Sequence, residues 1–283
     1  GFYAAATCAL GLAPVVLGLG LPAAVRLSAS TGVPRDAILR AAGIIIPFVA
    51  IAGVVIGIPV GIFLLPGLDS REFTAFLISM GSTALFVWVL CIQSVLVSES
   101  AYLKIAVVQC LQGGFNFVFI VVWWTFGSLT LSVVFSMYSV STLAASVLSS
   151  IVYGARLFRP VATLSVSPLG LWVGGTKFAA AQISEVSSST LPMLVAPAAI
   201  GAAQAGYLSV GVTLASVPSA IAFTVTPVIF ARSANSSLDD AIRIARSGIG
   251  SAFSCAIFVS ITLAGLSPFL VPALFGGSFV ASV

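Results

Sequence analysis

The spacing of charged side chains constrains this chain most. From Ile105 to Ala155 it runs for 51 residues without Asp, Glu, Lys or Arg. A helix needs about 20 apolar residues to cross the hydrocarbon core of a bilayer. The stretch is too long for one such helix, and Gly127 and Ser128 mark a break inside it. It therefore predicts two successive membrane-spanning helices.

The composition extends this conclusion to the whole chain. Its 283 residues include only 11 basic and 7 acidic side chains, and the mean hydropathy is +1.22. Soluble domains carry about 25% charged residues, against 6% here. So few charges cannot solvate the surface of a soluble fold, which excludes a cytosolic enzyme, a nucleic-acid binder and a disordered chain. The predicted fold class is an all-α polytopic membrane protein.

Eight spans can be placed between the charged residues. In order, spans A to H cover about 2–25, 41–66, 73–98, 103–125, 128–153, 169–199, 205–230 and 248–275. Span F contains Pro192 and Pro197 late in its course. Span B carries Gly53, Gly57 and Gly61 at four-residue spacing, which predicts close packing against another helix.

The basic residues give the predicted orientation, because cytoplasmic loops are enriched in Lys and Arg. Only one basic residue, Arg71, lies in the loops B–C, D–E and F–G. The alternate loops hold nine basic residues and are predicted to be cytoplasmic: Arg26, Arg35, Arg40, Lys104, Arg156, Arg159, Arg232, Arg243 and Arg246. The chain is expected to cross its membrane several times.

The residue types give little support for a metal or cofactor site. The chain has no His, and its cysteines, Cys8, Cys91, Cys110 and Cys255, are isolated in apolar runs. Such cysteines are typical packing residues in apolar helices. We expect no metal, no cofactor and no catalytic residues.

An internal repeat is the most informative pattern. Asp36-Ala37-Ile38-Leu39-Arg40 after span A matches Asp240-Ala241-Ile242-Arg243 after span G, and Phe63-Leu64-Leu65-Pro66 matches Phe269-Leu270-Val271-Pro272. The offsets of 204–206 residues correspond to six spans, so both copies face the same way. This predicts a parallel six-helix repeat in a twelve-span protein of about 410 residues. Residues 1–160 would form the N-terminal lobe (spans 2–6), and 161–283 would start the C-terminal lobe (spans 7–9).

Span F holds the two charged candidates for a site inside the membrane, Lys177 and Glu185. Gln182, Ser188 and Ser189 share their helix face. Intramembrane charges are costly and usually functional, so this face is expected to line a cavity between lobes. Alternatively, Lys177 snorkels to the interface and Glu185 is satisfied within the bundle.

The run from Ser187 to Thr190, followed by Pro192, predicts a softened or broken helix at membrane depth. The alternative is hydroxyl groups that bond back onto their own helix.

Span D carries Gln109, Gln112 and Asn116 in one stripe, which faces either a hydrated cavity or another helix. Arg26 and Arg232 end the equivalent spans A and G and could guide a pyrophosphate into the cavity. Ordinary anchoring also explains them, and the cytoplasmic arginines could bind anionic membrane lipids.

These residues form a pattern that resembles a known family. Gly206-Tyr207 opens a span of small residues that reaches Pro227 and Arg232, and Pro268, Leu274-Phe275-Gly276, Phe279 and Ala281 follow. This arrangement is similar to the polysaccharide and O-antigen flippases of the multidrug/oligosaccharidyl-lipid/polysaccharide exporter superfamily. Span A, from Gly1-Phe2-Tyr3 to Arg26, looks like their second helix.

The resemblance implies two six-helix lobes, a central cavity and alternating access. The implied substrate is an undecaprenyl-pyrophosphate-linked glycan that moves from the inner to the outer leaflet, with H+ or Na+ as a possible coupling ion. Relatives often carry an acidic residue shortly before the Gly-Tyr pair. Here Ser188, Ser189 and Thr190 occupy that zone, and Glu185 lies about a turn earlier.

Two other functions compete with a flippase. A twelve-span carrier for drugs or small molecules would share the architecture, although the loop from Leu27 to Arg40 lacks the usual major-facilitator pattern. A membrane glycan polymerase or ligase would need a large external loop with polar catalytic residues. The predicted external loops are a few residues long, so the chain is not expected to be an enzyme.

Overall fold

A computed structural model describes residues 2–65, 67–127, 130–154, 166–233 and 236–275. These residues are helical apart from short connections, and no strand occurs among them. The helices are α1 Phe2–Gly18, α2 Leu21–Ser30, α3 Arg35–Leu64, α4 Ser70–Ser98, α5 Tyr102–Phe126, α6 Leu131–Tyr153, α7 Pro168–Ile200, α8 Ala202–Ser233 and α9 Leu238–Phe275.

Five helices, α3, α4, α5, α6 and α9, are long and apolar enough to cross a membrane. The count within the described residues rises to six if α1 and α2, which meet at a bend of 50°, form one broken span. This architecture confirms the all-helical class and fits a multi-pass membrane protein. Eight spans in total remain a prediction.

The helices begin earlier than the predicted spans on the charged side. The sequence predicts span B from residue 41, whereas α3 begins at Arg35. It predicts span H from residue 248, whereas α9 begins at Leu238. Charged residues end an apolar stretch without ending a helix. Asp36 and Asp240 stand in the first turns of these two helices, where a negative charge is favourable.

The chain divides into two compact units. One comprises Ala5–Leu194, and the other comprises Gly1–Ala4 with Val195–Val283. We call them the large and the small unit. The predicted lobe boundary at residue 160 lies outside the described residues and remains a prediction.

A glycine stripe packs α3 against α4 in the large unit. A Cβ atom at Gly53 would lie 2.5 Å from the carbonyl oxygen of Met80, and one at Gly61 would lie 2.5 Å from the Phe73 ring. A Cβ at Gly57 would lie 3.1 Å from Leu77. The predicted close packing of span B is therefore confirmed.

Helix α4 is the centre of the large unit, because it packs on α2, α3, α5 and α6. Its start is fixed by a capping box, in which the Glu72 N–H donates to Asp69 at 2.7 Å and the Asp69 N–H donates to Glu72 at 3.2 Å. Helix α4 packs against α6 through Phe76 and Phe135, whose ring centroids lie 5.5 Å apart. Through α5, these contacts position the polar stripe that carries Gln109 and Asn116.

The helix break lies in a different place from the one predicted. Helix α7 is continuous from Pro168 to Ile200, and Thr190 donates back to the Val186 carbonyl at 2.6 Å. The expected break near Ser187–Pro192 is therefore wrong. Local hydroxyl bonding keeps those residues in the helix. The break occurs instead in span A, at Leu19 and Gly20, which both have positive φ angles.

The small unit contains α8 and α9, which pack on each other. At the start of α9, Arg243 pairs with Asp240 at 2.9 Å. The far ends of the matched segments differ, because α3 ends at Leu64 whereas α9 continues through Pro272 to Phe275. Pro66 lies outside the described residues, and the repeat remains a prediction.

Candidate functional site

A polar stripe on α5 has few neighbours. Gln109 is exposed, and Asn116 is half-buried, with its Oδ1 lacking any hydrogen-bond partner in the described structure. Cβ atoms at Gly113 and Gly114, between these amides, would have no atom within 4 Å. The Gln112 side chain lies outside the described residues. Within the described part of the stripe, Gln109 and the backbone at Gly113 and Gly114 are open, whereas the Asn116 Oδ1 is buried.

This stripe contrasts with the glycine stripe of α3. Helix α4 occupies the space beside Gly53 and Gly61. No atom lies within 4 Å of a Cβ placed at Gly113 or Gly114. The large unit therefore contains glycines at a helix contact, on α3, and glycines beside open space, on α5. The α5 stripe offers space for water or a polar ligand.

Helix α7 presents a second polar position. Lys177 is exposed, about 13 Å along the helix from its first residue, Pro168. Gln182 is half-buried on the same predicted face. The remaining predicted members of this face, Glu185, Ser188 and Ser189, have side chains outside the described residues. Among the described side chains, neither a hydrogen bond nor an ion pair joins Lys177 to the α5 stripe.

Of the two arginines predicted to guide an anion, only Arg26 has a side chain within the described residues. Arg26 is half-buried on α2, beyond the break in span A. The side chain of Arg232 lies outside the described residues, so its role remains a prediction.

A cluster of charged and polar residues lies at one end of the large unit, and no local sequence pattern predicts it. Tyr153, the last residue of α6, donates to Asp36 of α3 at 2.8 Å. Arg35 pairs with Glu99, which follows α4, at 3.1 Å. The Nη2 atom of Arg40 is buried without a partner in the part of the chain that is described. We call Arg35, Asp36, Glu99 and Tyr153 the end cluster.

The cluster escaped sequence reasoning because its partners are 64 and 117 residues apart. No local pattern marks them. The break in span A did carry a signal. Gly20 precedes Pro22, and a glycine followed by a proline in the first turn of the next helix is typical of a helix end and a new start.

Comparisons of the chain with protein-family models, with curated proteins and with solved structures find no match. The structure therefore defines a class, a helical protein with several membrane-length helices.

Proposed function

We propose that the chain belongs to a membrane transporter that moves an undecaprenyl-pyrophosphate-linked glycan from the inner to the outer leaflet of a bacterial membrane. The proposal includes alternating access between two lobes of six helices. The amide stripe of α5 carries it. A helix surrounded only by lipid would gain nothing from Gln109 and Asn116, because unpartnered polar groups are costly in hydrocarbon.

Water beside this stripe would remove that cost. A glycan carries many hydroxyl groups, which exchange hydrogen bonds with amide side chains as readily as with water. The open space at Gly113 and Gly114 leaves room for such a polar molecule. The glycan could thus cross beside α5 while its lipid tail stays in the bilayer.

The pyrophosphate needs positive charge along the same route. Lys177 is exposed and has no anionic partner among the described side chains, so its ammonium group is free to meet a phosphate. Arg26 and Arg232 are proposed to guide the phosphate from the cytoplasmic side. Glu185 is proposed to take up the H+ or Na+ that resets the carrier.

Transport can be tested directly in proteoliposomes. A fluorescent polyprenyl-pyrophosphate glycan is loaded into both leaflets, and its exposure to an impermeant quencher is followed under a pH or sodium gradient. We expect flipping by the wild-type protein. Movement of a lipophilic cationic dye without any movement of the glycan would contradict the proposal and indicate an exporter of small molecules.

Lysine variants make this test sharper. We expect Lys177→Ala to slow flipping by about 10- to 150-fold, because a charge-assisted hydrogen bond contributes about 1.5–3 kcal/mol. Lys177→Arg should retain most of the rate. Lys104→Ala, at the exposed start of α5, removes the same charge elsewhere and serves as the control. Equal rates for all three variants at equal abundance would exclude Lys177 from the route.

A further inference from the structure

The break in span A has an unusual backbone. Leu19 has a φ of 43° and Gly20 a φ of 73°, and α2 starts directly afterwards with Pro22 in its first turn. Positive φ is easy for glycine but rare for a leucine, whose side chain crowds the backbone there. A leucine remains in this state only where its surroundings hold it.

Those surroundings are the backbone of α7. A Cβ atom at Gly175 would lie 2.8 Å from the Leu19 carbonyl oxygen and 3.0 Å from the Leu21 nitrogen. A Cβ atom at Gly20 would overlap the carbonyl group of Gly175. The bend and α7 therefore touch backbone to backbone, and neither glycine can carry a side chain in this arrangement.

Both arms of the break contribute side chains to the core of the large unit. Leu21 and Val25 of α2 are fully buried. The buried face of α1 combines two leucines with three alanines: Leu10, Leu17, Ala6, Ala9 and Ala13. Small residues let helices approach without interlocking side chains. A turn of α1 therefore slides its alanine face and must also carry its two buried leucines to new positions in the core.

We propose that Leu19 and Gly20 form a two-state hinge that the Gly175 backbone holds in its bent state. When α7 withdraws, Leu19 returns to a helical φ, and α1 and α2 join into one helix with the milder kink that Pro22 imposes. Lys177 lies two residues beyond Gly175, about 200° around the helix, so it faces away from the hinge and an anion bound there would act on the bend only by moving α7 as a whole. This role in transport rests on the proposed function, whereas the hinge itself does not.

The hinge is tested by pulsed electron paramagnetic resonance on the full chain in lipid nanodiscs. Spin labels are placed at Gly11 on α1 and at Ile51 on α3, both exposed, after replacement of the four native cysteines. Gly11 lies about 12 Å along the helix from the break, so relaxing the bend from 50° to a proline kink of about 25° moves it by about 5 Å. We expect a main distance for the bent state and a minor one that differs from it by up to about 5 Å, the full displacement of Gly11.

Three variants decide the outcome. Gly175→Ala should make the shifted distance the major one, because its methyl group cannot fit beside Leu19. Gly174→Ala is the matched control, since a Cβ there would have no atom within 4 Å, and it should leave the distribution unchanged. Leu19→Gly relieves the backbone and should remove the shifted distance.

A wild-type distribution for Gly175→Ala, or an equal shift for Gly174→Ala, would overturn the hinge. If Gly175→Ala does not fold, Leu19→Gly decides alone, and a distribution identical to that of the wild type would overturn the proposal. These distances are measured without substrate. Failure of glycan transport with a confirmed hinge would therefore refute the function and not the hinge.

Discussion

Burial separates two polar contacts of the end cluster that have similar chemistry. The Tyr153 hydroxyl reaches Asp36 from a side chain that is 9% exposed. The side chains of Arg35 and Glu99 are 42% and 24% exposed. Water therefore competes more strongly for the Arg35–Glu99 ion pair than for the Tyr153–Asp36 hydrogen bond. A hydrogen bond to a carboxylate contributes about 1.5–3 kcal/mol, whereas an exposed ion pair contributes about 0–1 kcal/mol.

We therefore expect Tyr153→Phe to lower the free energy of unfolding by about 1.5–3 kcal/mol, because Asp36 loses its donor. Glu99→Gln should lower it by less than about 1 kcal/mol. Thermal unfolding in detergent, followed by circular dichroism, compares the two variants under the same conditions. An equal or larger loss for Glu99→Gln would show that burial does not rank these contacts.

At the scale of helices, the glycines of α3 are not equivalent. A Cβ atom at Gly53 would meet the Met80 carbonyl, whereas one at Gly43 would lie 3.7 Å from the Trp88 ring, an ordinary contact. The first requires α3 and α4 to separate, and the second fits in place. Four-residue spacing identified the stripe from Gly53 to Gly61, but only the packing shows which position has no spare room.

Gly53→Ala is expected to destabilise the protein by about 1–3 kcal/mol, the usual cost of overpacking. Gly43→Ala makes the same change on the same helix and should be neutral or stabilising by up to about 1 kcal/mol, because alanine favours helix. The measurement is again the unfolding midpoint in detergent. Similar midpoints for both variants would mean that α3 and α4 do not meet at Gly53.

Apolar runs predicted where the helices lie, because burial in hydrocarbon demands continuous helix. The break was misplaced because hydropathy does not report backbone geometry. A Ser-rich run looked soft, yet Thr190 bonds within its own helix, while Leu19 and Gly20 bend through a contact with α7. Polarity alone predicts Lys177 and the α5 stripe as site residues, and their role remains a prediction. The end cluster depends on distant residues, which only the folded chain brings together.

At the scale of the whole molecule, the contacts of the end cluster place two connections at one end of the large unit. The ion pair between Arg35 and Glu99 joins the start of α3 to the residue that follows α4. The connections that contain Thr31 and Ser100 are therefore on the same side. Helix α3 has 30 residues and is about 45 Å long, which exceeds the roughly 30 Å hydrocarbon core. Leu68, beyond its other end, belongs on the opposite side.

The excess of basic residues in the first set of connections predicts that this side is cytoplasmic. We expect cysteines introduced at Leu68 and Gly127 to react with an impermeant maleimide on intact cells, in a background without the native cysteines. Cysteines at Thr31 and Ser100 should react only after the cells are permeabilised, which also shows that these two sites are reactive. Labelling of Thr31 in intact cells would invert the orientation. Labelling of Thr31 and Leu68 from the same side would mean that α3 does not cross the membrane, because the two ends of a spanning helix cannot share one aqueous phase.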